Sequence, residues 1–178
     1  MSGGTLVSQI ILILSVPITA TIYSPEGFGY AAYFIAFGSI LSALSTGKYD
    51  FAIFSSPKNK VKSIQFLFGS IIINVLFTLI ILLIVFLIPI LRNGYLLYVL
   101  ATIALIFLNG LNLSLTAWFN ANKEYSVISI GRIIKNLFLS SSGIILGFYI
   151  SNDPIYLILS YVIGMAVFNL FYLILFTS

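Results

Sequence analysis

Cysteine and histidine are absent from this chain of 178 residues, and acidic residues number only four. Without thiols or imidazoles there are no disulfides, no Cys/His zinc site and no cysteine- or histidine-based catalysis. The four acids, Glu26, Asp50, Glu124 and Asp153, lie far apart in sequence, and nothing local pairs two of them for acid/base work. The expectation is therefore no enzyme, no metal and no cofactor, and no nucleic-acid partner. Charge of any sign is scarce: 7% of residues are charged against 61% hydrophobic, and the mean hydropathy is +1.18. Soluble domains carry roughly a quarter charged residues. A soluble globule needs a polar skin, and this chain cannot make one. An integral membrane protein embedded in the lipid bilayer is the class that remains.

What is present partitions the chain. Between the charges lie six long charge-free stretches, 1–25, 27–47, 63–91, 93–122, 136–152 and 154–178. A helix needs about 20 apolar residues to cross roughly 30 Å of hydrocarbon. Five stretches meet that length outright. The fifth in order, 136–152, is shorter, so its helix starts earlier and carries Arg132 and Lys135. The reading is an all-α, six-helix transmembrane bundle forming a single unit over 1–178. Its helices fall at roughly 4–22, 29–47, 64–88, 96–119, 128–150 and 155–176. With the N-terminus inside, Lys48, Lys58, Lys60, Lys62, Lys123, Arg132 and Lys135 face the cytoplasm and only Arg92 faces out. That is the positive-inside bias, and the opposite topology inverts it. The first segment lacks a basic leader and an Ala-x-Ala cleavage site, so it reads as a retained helix, with both termini cytoplasmic.

Short polar breaks separate the spans: Ser24-Pro25-Glu26-Gly27, Arg92-Asn93-Gly94 and Ser151-Asn152-Asp153-Pro154. The longer link from Ser55 to Lys62 is basic and suits contact with anionic lipid. The predicted third helix is apolar nearly all round from Leu79 to Ile88, with Asn74 and Thr78 its main polar exceptions. The fifth carries a stripe at helical spacing: Ser129, Arg132, Asn136, Ser140, Gly143 and Gly147. Asn109, Asn112, Thr116 and Asn120 repeat the pattern on the fourth. Thr5, Ser8, Ser15 and Thr19 do so on the first, around a bend expected at Pro17. Ser39, Ser42, Thr46 and Asp50 do so on the second.

Two readings compete for these faces: close packing of transmembrane helices through small and polar residues, or the wall of a hydrated cavity. Arg132, Lys135, Asn109, Asn112 and Asn136 are the candidate substrate-binding residues. Arg132 and Lys135 are expected within about two turns of the cytoplasmic helix end, where long cations also snorkel to the interface. A guanidinium at Arg132 suits bidentate binding of a phosphate or carboxylate. Lys48 and Asp50, two residues apart and so on different helix faces, are either interfacial anchors or a gate or coupling pair.

Three motifs carry a resemblance. Gly4-Thr5 with Gln9 and Pro17, then Tyr23-Ser24-Pro25-Glu26-Gly27-Phe28-Gly29, resemble the first helix and first turn of the polysaccharide biosynthesis flippases. These are the Wzx-type O-antigen transporters of the multidrug/oligosaccharidyl-lipid/polysaccharide exporter superfamily. Lys48-Tyr49-Asp50-Phe51-Ala52-Ile53 is similar to their basic-aromatic-acidic signature after the second helix. Trp118 to Tyr125, followed by Ile128-Ser129 and Arg132, resembles the segment joining helices four and five, although Ala121 stands where the family often has Arg. The resemblance spans the whole chain as the N-terminal half of such a transporter. It implies one lobe of a two-lobe flippase with a second six-helix lobe as partner. It also implies an inner-membrane location and a lipid-linked oligosaccharide as substrate, carried across on an undecaprenyl diphosphate. A non-transporting membrane partner of a glycan synthesis complex and a drug-exporter lobe of the same superfamily are the alternatives.

Overall fold

A proline that follows a serine can begin a helix as readily as it ends one, because the first helical residue has no use for its N–H. That is what Ser24-Pro25-Glu26-Gly27 does. The computed structural model describes residues 3–55, 60–88 and 95–177. In it α1 (Gly3–Ile22) runs unbroken through Pro17, and α2 (Pro25–Ser45) starts four residues before the expected position. Ser24 caps α2: its Oγ accepts from the Gly27 N–H at 3.1 Å. Glu26 in the first turn complements the helix dipole. Then follow α3 (Tyr49–Ser55), α4 (Lys60–Leu87), α5 (Leu96–Ala121), α6 (Tyr125–Tyr149) and α7 (Ile155–Thr177). Asp153 starts α7 in the way Ser24 starts α2, its carboxylate accepting the Ile155 N–H at 2.9 Å beside Pro154.

All regular structure among the described residues is helical. By length and composition α1, α2, α4, α5 and α7 are apolar enough to cross a membrane. Helix α6 has the length, 25 residues, but its two cations, serines and glycines dilute its apolar content and leave it outside that set. The short α3 was not expected. A left-handed pair, Gly47 (φ 56°) and Lys48 (φ 63°), turns the chain out of α2, and Tyr49 restarts it as a helix. Lys58 and Arg92 lie outside the described residues.

The chain forms two compact units, residues 1–36 with 125–178, and residues 37–124. In the first, α6 packs against α1 and α7. The approach is close because small residues stand at the crossings, the general device of membrane helices. A Cβ on Gly4 would lie 2.7 Å from Ser129 Cβ, and one on Gly147 would lie 2.6 Å from the Tyr23 ring. In the second unit α4 packs on α5, and α3 on both. Gly110 of α5 admits Asn74 and Ser45. Ser70 and Ser114 share a hydrogen bond at 2.6 Å, and Asn74 Nδ2 donates to the Phe107 carbonyl at 2.9 Å. The apolar side chains left exposed, among them Ile13, Leu14, Leu79, Leu83 and Phe86, are those a hydrocarbon solvent accepts.

Helix α5 ends in a Schellman turn. The Glu124 N–H reaches the Phe119 carbonyl at 2.9 Å and the Lys123 N–H the Asn120 carbonyl at 3.0 Å. The left-handed residue is Lys123 (φ 63°) rather than glycine. Lys123→Gly should therefore stabilise the folded chain by about 1 kcal/mol. Unfolding in detergent micelles by a graded denaturant would show the gain as a shifted midpoint. An unchanged midpoint would contradict this account of the turn.

Candidate functional site

Helix α6 carries three of the candidate residues, and they part company in space. Asn136 is buried, and its Nδ2 donates to the Ser8 carbonyl of α1 at 2.8 Å. Four residues earlier Arg132 is exposed. Positions four apart on a helix differ by about 40°, enough here to separate an inward amide from an outward guanidinium. Lys135 is half-buried, its Nζ 5.6 Å from the centre of the Tyr161 ring on α7, a cation–π distance. Because α6 begins at Tyr125 rather than 128, Lys135 lies ten residues, about 15 Å, along the helix, deeper than the expected two turns.

The rest of the α6 stripe is turned inward. Ser140, Gly143 and Gly147 are buried. Gly143 offers its carbonyl to the Tyr23 hydroxyl at 2.9 Å. Burial, with Tyr156 as a second cause, raises the Tyr23 phenol pKa above its ordinary value. Tyr23 is almost fully buried (1% exposed). Its place in the first-turn motif was visible in the sequence, but its partner 120 residues away was not.

Beside this seam a cleft of about 180 Å³ opens among α1, α2, α6 and α7. Leu12, Val16, Phe28, Ala31, Ala32, Ile35, Leu139 and Leu157 make it largely apolar, and Ser15, Thr19, Ser140, Ser160 and Tyr161 supply its polar atoms. Ser15, Thr19 and Ser160 spend their protons on carbonyls of their own helices, at 2.7–3.0 Å. The Ser140 hydroxyl is buried without a partner. Ser140 stands on the stripe that the sequence offered as a possible cavity wall, but nothing in the sequence distinguished Tyr161, since the neighbours that complete the cleft come from three other helices.

The remaining candidates belong to the second unit. Asn109 of α5 is buried with its Nδ2 unpartnered, and Asn112, one turn on, is half-buried. Thr116 Oγ1 is also buried without a partner. Asp50, in the first turn of α3, accepts from the Thr46 hydroxyl at 3.0 Å. Lys48 is exposed, its Nζ 5.6 Å from the centre of the Phe51 ring. Each of this pair thus has its partner within one turn of chain. Among the described residues no three His, Cys, Asp or Glu side chains gather where a metal ion would sit.

The geometry separates the stripe into accessible and packed positions. A cysteine replacing Arg132 should react with a water-soluble thiol reagent, and one replacing Asn136 should stay inert behind α1. The chain has no cysteine of its own to confuse the readout. Equal reaction at both sites would show that the whole stripe faces water. In comparisons with protein-family models, curated proteins and solved structures, nothing matches the chain.

Proposed function

We propose that the chain is a six-span lobe of a flippase that moves a lipid-linked oligosaccharide across a bacterial inner membrane for surface polysaccharide synthesis. In this reading α6 is the sixth span, both termini are cytoplasmic, and a second six-helix lobe completes the transporter. The observation that carries it is Arg132. An arginine within a membrane-spanning helix costs a few kcal/mol and marks a functional position by default. This one is neither packed away nor at the helix terminus: it is exposed, seven residues, or about 10 Å, into α6.

The chemistry fits the task. A diphosphate-bearing glycan does not cross hydrocarbon unaided. A guanidinium near the cytoplasmic end offers the phosphates two parallel donors, while the apolar outer faces of the helices leave the prenyl tail in lipid. Rocking of two lobes about a shared site is a general transporter solution. The resemblance supports the same reading: its three motifs coincide with the Tyr23 turn, the Lys48 turn and the Schellman turn before α6.

Two measurements test this. Reporter fusions after Asn59 and Asn122 should read cytoplasmic and those after Asn93 and Asn152 external; a cytoplasmic signal at Asn93 breaks the six-span arrangement. In a strain lacking its O-antigen flippase, the chain expressed with a second lobe should restore surface O-antigen. Arg132→Lys, which keeps charge but loses the planar fork, should retain part of that activity. Arg132→Ala should lose most of it at unchanged protein level. Normal display from Arg132→Ala would remove the phosphate role.

A further inference from the structure

We infer that the cleft among α1, α2, α6 and α7 is a binding site for an uncharged single-chain amphiphile, an alkyl chain bearing one hydroxyl group, with Ser140 as its polar contact. The inference is independent of transport and of the second lobe.

Size, depth and chemistry point the same way. The cavity volume, about 180 Å³, is smaller than that of sites for drug-sized molecules and suits one slender chain. The Tyr23 turn and the Pro154 turn meet at one end of the unit, where Gly27 lies against Pro154. Measured from that end at about 1.5 Å per residue, the lining of α1 and α2 runs from about 5 to 15 Å deep, and Ser140 lies about 13 Å from Tyr149. The cleft therefore occupies the hydrocarbon depth of one leaflet, about half of a 30 Å core. An apolar chain is the natural occupant there.

The polar atoms refine the class. Among the described residues no charged side chain lines the cleft, so an ionised head group would enter uncompensated, at a cost far above that of a hydroxyl. Ser15, Thr19 and Ser160 have already donated to their own helices. Ser140 is more than nine-tenths buried, lines the cleft and has no partner. A buried hydroxyl in that condition is costly unless something else satisfies it. A ligand hydroxyl accepts the Ser140 proton or donates its own to Ser140 Oγ, one hydrogen bond in either direction, which a bare alkane does not make. Lys135 stands over the Tyr161 ring rather than in the lining.

The test uses the full chain in lipid nanodiscs and a photolabel, 1-decanol carrying an alkyl diazirine in its chain. Illumination should place the label on cleft residues such as Val16, Ala32 and Leu157. Unlabelled 1-decanol should compete at a membrane concentration about three- to tenfold below that needed for n-decane, the worth of one neutral hydrogen bond. Ser140→Ala removes a hydroxyl that has no protein partner, so the fold should survive. In that variant labelling should persist while the advantage of decanol over decane disappears. Label scattered along the outer helix faces, an unchanged decanol advantage in Ser140→Ala, or equal competition by the two in the unaltered chain would each overturn the site. Tighter competition by decanoate would overturn the uncharged class and assign the head group to Lys135.

Discussion

Helices in hydrocarbon gain little by hiding apolar surface from one another, since lipid is as apolar as leucine. What holds them is close approach and the few hydrogen bonds that approach permits. In this chain the requirement falls on α6. Gly4 against Ser129, Asn136 against Ser8, and Gly143 and Gly147 against Tyr23 form one seam along α1 and its following turn. On the other side Gly131 admits the Phe168 ring, and Gly164 of α7 lies against Leu139 and the Lys135 carbonyl. Remove the small residues and the bonds cannot form; remove the bonds and buried amide and phenol groups are left stranded.

The same requirement explains why α6 looks unlike the other long helices. Its glycines and serines permit the seam but lower its apolar content. Its arginine and lysine are then carried by a helix already committed to packing on two sides. Arg132 is left on the outer part of the stripe and Lys135 on the flank nearest Tyr161. One helix thus serves as the structural centre of its unit and as the bearer of the cations on which the proposed phosphate contact depends.

Much of the fold was legible in the sequence because charge is so sparse. Glu26, Lys48, Lys123 and Asp153 each sit at or beside a helix boundary, and apolar runs between them left little choice of element. The start of α2 was misplaced because Pro25 reads as a breaker until its capping serine is taken into account. The short α3 was hidden because two left-handed residues at Gly47 and Lys48 reset the chain before an ordinary helical sequence resumes. For the candidate site, spacing correctly grouped Asn136, Ser140, Gly143 and Gly147 on one buried face. It did not resolve the 40° that sets Arg132 apart. Nor does periodicity name the neighbour across a crossing, so Ser8, Tyr23 and Tyr161 emerged only from the packed structure.

The hydrogen bonds fall into two kinds, and the division bears on how the protein is made. Ser15, Thr19, Ser42, Ser45, Thr78 and Ser160 donate to carbonyls three or four residues back. Each of these bonds exists as soon as its own helix does, so those helices enter the bilayer with the hydroxyls already silent. Asn74 waits 33 residues for the Phe107 carbonyl. Tyr23 waits 120 residues for Gly143, and the Ser8 carbonyl waits 128 for Asn136. Until α6 has been made, α1 is therefore a lodger in the membrane without the helix it packs against. Only when the ribosome has delivered α6 does α1 acquire its place.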